Sequence, residues 1–272
     1  MNYSEFGKLE SVGWSDHATV DSYVASFARA TDMAIGPIVK ASGAGSGKRV
    51  LDLCCGHGAG IEALLAVGAE VTGLDFSPAM LSQARSRAEA AELIEGDAQS
   101  LPFSDGTFDA VVCAFGMMHV PDQPKALSEV HRVLRPGGIF VMTAWCGPDR
   151  SHAFRIAFGS IQAHGDPQTS LPPAPDFHRL ADPATAEALL SDAGFRNVQS
   201  STIECAYEFD QPDGLWKIFS LGTVRAKMLI DAQPQANREA IRRAMVEAVD
   251  DRFHNGSRLR VPAPAALVSA QA

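Results

Sequence analysis

From residue 50 onward, short apolar runs alternate with longer stretches in which apolar residues recur every three or four positions. The runs fall at 50–54, 70–74, 108–114 and 138–144, and the helical stretches between them at 59–67, 78–90 and 122–134. Such alternation predicts an α/β fold, a parallel sheet with helices on both faces. Local chemistry agrees. Ser77-Pro78 and Asp182-Pro183 each offer a capping oxygen followed by proline at the first helical position, and Gly194 supplies a C-terminal stop. In 122–134, Leu127, Val130 and Leu134 share one face, as a helix lying on a sheet requires. Pro136-Gly137-Gly138 predicts a tight turn into the next strand.

Elsewhere the pattern is looser. Residues 18–41 carry Val20, Tyr23, Val24, Phe27, Met33 and Ile38 at helical spacing, predicting one or two helices before the small-residue linker 41–48. Residues 147–180 mix proline, glycine and histidine with scattered aromatics and read as an irregular excursion. Residues 195–209 alternate as a strand. Residues 212–254 return to helical spacing, with Trp216, Phe219, Leu221, Val224, Met228 and Leu229 as an apolar stripe, and 259–270 reads as a terminal strand. The expected organisation is a helical cap at 1–47, a core at 48–210, a helical lid insertion at 211–257 and a terminal core strand at 258–272.

Composition narrows the function. The 272 residues are 46% hydrophobic, ample for a core, and Lys plus Arg total 23 against 32 Asp plus Glu, a net charge of −9. That sign disfavours a protein that coats nucleic-acid phosphates. The five cysteines form no CxxC pair and fit reduced thiols. The first residues hold acids and no apolar core stretch, and no apolar run approaches the ~18 residues of a membrane span. A cytoplasmic protein is expected, with its oligomeric state open, a homodimer included. No His, Cys and carboxylate set shows metal-ligand spacing, so no metal is expected.

The strongest chemical signal is VLDLCCGHGAG at 50–60, a strand running into Gly56, Gly58 and Gly60 ahead of a helix. Glycines there let a backbone approach a ligand, and a helix N-terminus offers free amide donors to an anion. A dinucleotide fingerprint would need glycine at 61, where Ile61 stands, so a nicotinamide oxidoreductase is disfavoured. A tight strand–helix turn without a ligand explains the glycines equally well. The next strand ends in Asp75, 19 positions after Gly56, where a carboxylate accepts from a ribose diol or caps the helix beyond, although Ser77 already serves as cap. Phe76 and Met80 either lie against an adenine ring or belong to the core. A third strand end carries Asp97, in reach of an exocyclic amine.

These segments, with EGDAQSLPFSDGTFDAVVCAFGMMHVPD and EVHRVLRPGGIF, resemble the class I S-adenosylmethionine-dependent methyltransferases. The resemblance is to the small-molecule branch similar to ubiquinone and menaquinone biosynthesis enzymes. It is close over roughly 48–145. It implies a Rossmann-like, seven-stranded, mostly parallel sheet with an antiparallel last strand. It implies S-adenosylmethionine as cofactor and methyl transfer to the oxygen, nitrogen or carbon of a small organic acceptor. A non-catalytic S-adenosylmethionine-binding protein is the alternative. Carried across by position, Asp52 and Gly56–Gly58 face the methionine end, Asp75 the ribose and Phe76 the adenine. Asp97 and Ala98 read the adenine edge, and Ala114 and Phe115 approach the amino group through their carbonyls. The family's usual small residue at the start of the turn is Cys54 here, small enough to keep cofactor binding. His119, in FGMMHVPD, is the candidate general base, or else a structural histidine. His57 is expected to be partly exposed beside the cofactor carboxylate. At least one of Trp14, Tyr23, Trp216 and Phe219 is expected to line the acceptor pocket.

Overall fold

A computed structural model describes residues 3–253 and 258–272. The chain opens with helices that the apolar pattern only partly announces. These are α1 (Ser4–Ser15), α2 (His17–Ser22), α3 (Ala28–Asp32) and α4 (Ile35–Ser42), with a π-helical turn, Tyr23–Phe27, joining α2 to α3. Asp16 starts α2 by accepting from the amides of Ala18 and Thr19, and Gly43, at φ 64°, ends α4.

The alternating core follows as β1 (Arg49–Leu53), α5 (Ala59–Ala66), β2 (Glu70–Asp75), α6 (Pro78–Arg87), β3 (Glu92–Glu95), β4 (Phe108–Ala114), α7 (Gln123–Val133) and β5 (Leu134–Trp145). Both proline-led caps form: Ser77 Oγ accepts from Met80 N, and Asp182 caps a later helix by accepting from Thr185 N. Arg132 ties the segment 101–105 to α7, donating to the carbonyls of Leu101 and Phe103 and to the carboxylates of Asp105 and Glu129. Pro136-Gly137-Gly138 lies inside β5 as a bulge, where the register with β4 jumps between Phe108/Leu134 and Ala110/Ile139 and Gly137 takes φ 79°.

Beyond β5 four expectations are corrected. The stretch 147–180 contains α8 (His152–His164), capped by Ser151, whose Phe154, Ala157 and Ile161 are buried on one face. After α9 (Pro183–Asp192), the run 195–209 forms two strands, β6 (Arg196–Ile203) and β7 (Ala206–Phe209). The lid region holds α10 (Gly214–Leu221), α11 (Arg225–Asp231) and α12 (Gln235–Phe253), and Leu221, counted in its apolar stripe, is half exposed. The terminal run also splits, into β8 (Leu259–Pro262) and β9 (Ala265–Gln271).

The sheet order is β3-β2-β1-β4-β5-β9-β6. The first five strands are parallel, and β9 runs antiparallel between β5 and β6, pairing Trp145 with Ala265 and Ile139 with Gln271. β7 and β8 form a separate antiparallel ribbon. The central strands are buried on both faces: Val50, Leu51, Leu53, Val111, Val112, Phe140 and Val141 are essentially inaccessible. A second, smaller cluster of Trp14, Val20, Ala79, Met80 and Val224 fastens α1 and α2 to α6 and to the start of α11. Among the described residues no helix is long and apolar enough to cross a membrane.

Candidate active site

Strands β1, β2 and β4 end on one edge, and a cavity of about 1630 Å³ opens there. That exceeds the ~300–1,000 Å³ typical of a site for one drug-sized ligand, so it has room for two molecules. Its floor is the glycine turn. Cys54 and Gly56 take positive φ values of 56° and 53°, turning the chain from β1 toward α5. Gly60 is needed for closeness: a Cβ there would lie 2.4 Å from Asp52 Oδ2.

Asp52 sits beneath this turn, 2% exposed. Its Oδ2 has no hydrogen-bond partner. Burial, reinforced by the neighbouring Asp75 charge, pushes its carboxyl up to about 8. Asp75 is also buried, and burial raises it, opposed by amide hydrogen bonds. Its Oδ2 accepts from Gly56 N and its Oδ1 from Ser77 N, each at 2.9 Å, so one carboxylate knits the glycine turn to the start of α6. Asp97 accepts from the amide of Gln99 at 2.8 Å at the third strand end.

Of the residues singled out by sequence, Asp52, Cys54, Gly56, Asp75, Phe76, Met80, Asp97, Ala98, Ala114 and Phe115 all line this cavity, as do Trp14, Tyr23, Phe219 and His119. Gly58 does not; at φ 86° it starts α5 against Ala84. Trp216 does not either, and packs partly buried against the main core. His57, expected to be partly exposed, is 6% exposed, its Nε2 3.2 Å from Asp32 Oδ1. The cysteines are thiols; a hydrogen bond with Cys113, and then burial, hold Cys54 well above the usual thiol range.

Opposite the strand ends the wall is aromatic. Phe27 stacks on Tyr23 and meets Trp145 and Phe219 edge-on, and Phe154 meets Phe219 at 5.5 Å. Phe115 lies flat on Trp145, centroids 4.1 Å apart. Between the two halves stands His119, with Trp14 and Phe177 edge-on to its ring at 5.5 and 5.6 Å.

Sequence reading missed the partner of His119. Glu10, in the middle of α1 and 1% exposed, reaches the His119 Nδ1 with its Oε2 at 2.7 Å and accepts from Trp14 Nε1 at 3.0 Å. One signal was available: Glu10 lies four residues from both Phe6 and Trp14, so a carboxylate occupies the centre of an apolar helix stripe. A buried carboxylate in such a stripe needs a partner.

Comparison with known proteins converges on one family. A profile described as "Methyltransferase domain" matches residues 51–142. The demethylmenaquinone methyltransferase of Renibacterium salmoninarum is 34% identical over 181 residues, 61% of this chain and 76% of that protein. That of Thermus thermophilus is 46% identical over 121 residues, 42% of this chain and 52% of that protein. The fold matches the YcgJ protein of Bacillus subtilis with a TM-score of 0.57 at 22% identity, covering 88% of this chain and 97% of that one. It also matches Haemonchus contortus phosphoethanolamine N-methyltransferase 2, solved with S-adenosylhomocysteine, with a TM-score of 0.52 at 18% identity, covering 87% and 52%. The residues fit the S-adenosylmethionine that these findings imply: the partnerless buried oxygen of Asp52 suits an ammonium donor, and the missing Cβ at Gly60 leaves that oxygen its room. The chain belongs to the class I S-adenosylmethionine-dependent methyltransferases.

Proposed function

We propose that this methyltransferase acts on a flat, largely aromatic acceptor bearing an acidic hydroxyl, and that His119 takes the proton which the nucleophile gives up. The observation that carries this is the Glu10–His119 pair, on the cavity wall between the strand-end carboxylates and the aromatic cluster. The naming of several relatives as demethylmenaquinone methyltransferases supports an acceptor with a fused aromatic ring.

In this reading Asp52 and the carbonyls of Ala114 and Phe115 hold the amino-acid end of the cofactor. Asp75 holds the sugar, and Phe76, Met80, Asp97 and Ala98 surround the base. S-adenosylmethionine supplies a methyl group on a positively charged sulfur, already activated, so alignment and exclusion of water are the main tasks left to the protein. Helices α1, α10 and α11 wall the acceptor half. With Glu10 accepting from Nδ1–H, the Nε2 of His119 is left as the proton acceptor. As the bond from the acceptor to methyl would form and the sulfur–methyl bond break, leaving S-adenosylhomocysteine, His119 Nε2 would take the acceptor's proton and the Glu10 carboxylate would hold the imidazolium.

The test is transfer of isotope-labelled methyl from S-adenosylmethionine to a panel of naphthohydroquinones and naphthols, with products identified by mass spectrometry. His119→Asn is expected to lower kcat by about 10²–10⁴ while leaving S-adenosylhomocysteine affinity unchanged. Glu10→Gln is expected to lower kcat less and to displace the pH–rate profile. Full turnover in the His119 variant would defeat the base assignment.

A further inference from the structure

Several of the chain's surface arginines are matched with carboxylates: Arg132 with Glu129 and Asp105, Arg135 with Asp109, and Arg258 and Arg260 with Glu208. Two arginines on the cavity wall are instead half-buried, each with a guanidinium nitrogen that has no partner. Arg225, at the start of α11, lies over the Phe6 ring with its guanidinium carbon 5.3 Å from the centroid. Its Nη2 makes one long hydrogen bond, 3.3 Å, to the carbonyl of Pro172, and its Nη1 is buried with no partner. Arg179 sits at the end of the same 171–179 segment, and its Nε is buried with no partner. Both line the cavity. Among the described residues neither forms an ion pair.

A guanidinium taken partly out of water without a counter-charge is costly. Burial indeed pulls the Arg225 guanidinium below its ordinary range, and Glu10 is the one carboxylate whose charge acts against that. Glu10 meets His119 and Trp14 through its Oε2, and neither of its oxygens is hydrogen-bonded to Arg225. What remains are two guanidinium groups, each with a nitrogen that lacks a protein acceptor, in residues that line a cavity large enough for a ligand. Planar guanidinium donors match carboxylates and phosphates, which can take two parallel hydrogen bonds.

We propose that the methyl acceptor carries an anionic group, a carboxylate or a phosphate or sulfate monoester, received by Arg225 and Arg179 where α1 and residues 171–179 wall the cavity. This rests on the acceptor occupying the aromatic half. The anion belongs to the acceptor and not to the cofactor's own carboxylate, because Arg225 reaches Phe6 and Pro172, on the side of the cavity formed by α1 and the 171–179 segment. The aromatic wall then holds the ring, His119 faces the reacting hydroxyl, and the arginines fix which way round the ring enters.

The test uses the whole chain saturated with S-adenosylhomocysteine, titrated calorimetrically with 1-hydroxy-2-naphthoate, 6-hydroxy-2-naphthoate and the methyl ester of each. At least one carboxylate is expected to bind about tenfold or more tightly than its ester, the gain of a charge-assisted pair. Arg225→Met removes that preference, Arg225→Lys keeps part of it, and Arg179→Met reduces it. S-adenosylhomocysteine affinity stays unchanged in all three. Equal binding of acid and ester in the unaltered chain, or a preference that survives the double Met variant, overturns the proposal. So does a loss of S-adenosylhomocysteine affinity in Arg225→Met, which would assign the anion to the cofactor. Failure of the unaltered chain to bind S-adenosylhomocysteine would instead strike the cofactor site itself.

Discussion

At the scale of single residues, Asp52 concentrates the chemistry of the cofactor half. Its carboxyl, pushed up to about 8 by burial and by Asp75, is largely protonated in the empty protein near neutrality. An ammonium donor arriving at its partnerless oxygen favours the ionised form, so binding S-adenosylhomocysteine at pH 7 is expected to release a proton. Calorimetry in buffers of different ionisation enthalpy measures that release, and Asp52→Asn should abolish it while weakening binding. The sign of the stability effect is also fixed. A folded-state pKa above the ordinary carboxylate range stabilises the fold most at low pH, and that contribution is lost as pH climbs from about 4 through about 8. Asp52→Asn is therefore expected to melt a few degrees above the parent at pH 8 and close to it at pH 4, as thermal scans at the two pH values would show. The three acids Asp52, Asp75 and Asp97 were legible because they punctuate strand ends at family spacing. Glu10 was not, because its partner is 109 positions away in sequence and its charge disguises the helix stripe it belongs to. Arg179 and Arg225 carried no sequence signal at all; their meaning lies in partners they lack.

At the scale of elements, the alternating core from β1 to β5 was legible because each strand and helix declares itself locally, by cap, proline or apolar run. The corrections fall where a local signal was diluted. Helix α8 sits between prolines and glycines that dominate the composition of 147–180, although Ser151 caps it. The run 195–209 alternates throughout, but the chain leaves one sheet and joins another near Cys205, and period-two patterning carries no mark of that change. Helix α1 was expected only as part of a helical cap over 1–47, without bounds of its own, because Gly7 and Gly13 lower its propensity. Those glycines mark close approaches: a Cβ on Gly13 would lie 2.4 Å from Val224 Cγ1, and one on Gly7 2.7 Å from Pro121 Cγ. Gly13→Ala is thus expected to part α1 from the start of α11 at a cost of about 1–3 kcal/mol, the range for overpacking. Limited proteolysis should then cut near residues 1–16 faster, and kcat should fall with the displaced Glu10. Unchanged cleavage would mean that the contact relaxes without moving the helix.

At the scale of the molecule, the cavity holds a buried carboxyl oxygen without a partner, arginines that form no ion pair among the described residues, and an aromatic wall. A structure with this much unmet interaction at one place gains on filling it. Linkage sets the size: S-adenosylhomocysteine at a hundredfold excess over its Kd adds about 2.7 kcal/mol to folding stability. A melting temperature that rises with ligand concentration is the expected result, and one that ignores a saturating amount would remove the cavity's assignment. The charge balance of −9 remains compatible with an anionic acceptor, because it is the local cations Arg225 and Arg179 that face the cavity.

The placement of β9 between β5 and β6 has a consequence for how the chain is made. On the ribosome, Trp145 emerges long before Ala265, the residue it must sit beside. Throughout that interval the flank of β5 is an unsatisfied row of amides and carbonyls, the kind of border that recruits stray strands. Nascent copies would therefore be expected to depend on holding chaperones during synthesis, and crowded overexpression to yield inclusion bodies that slow, cool induction relieves.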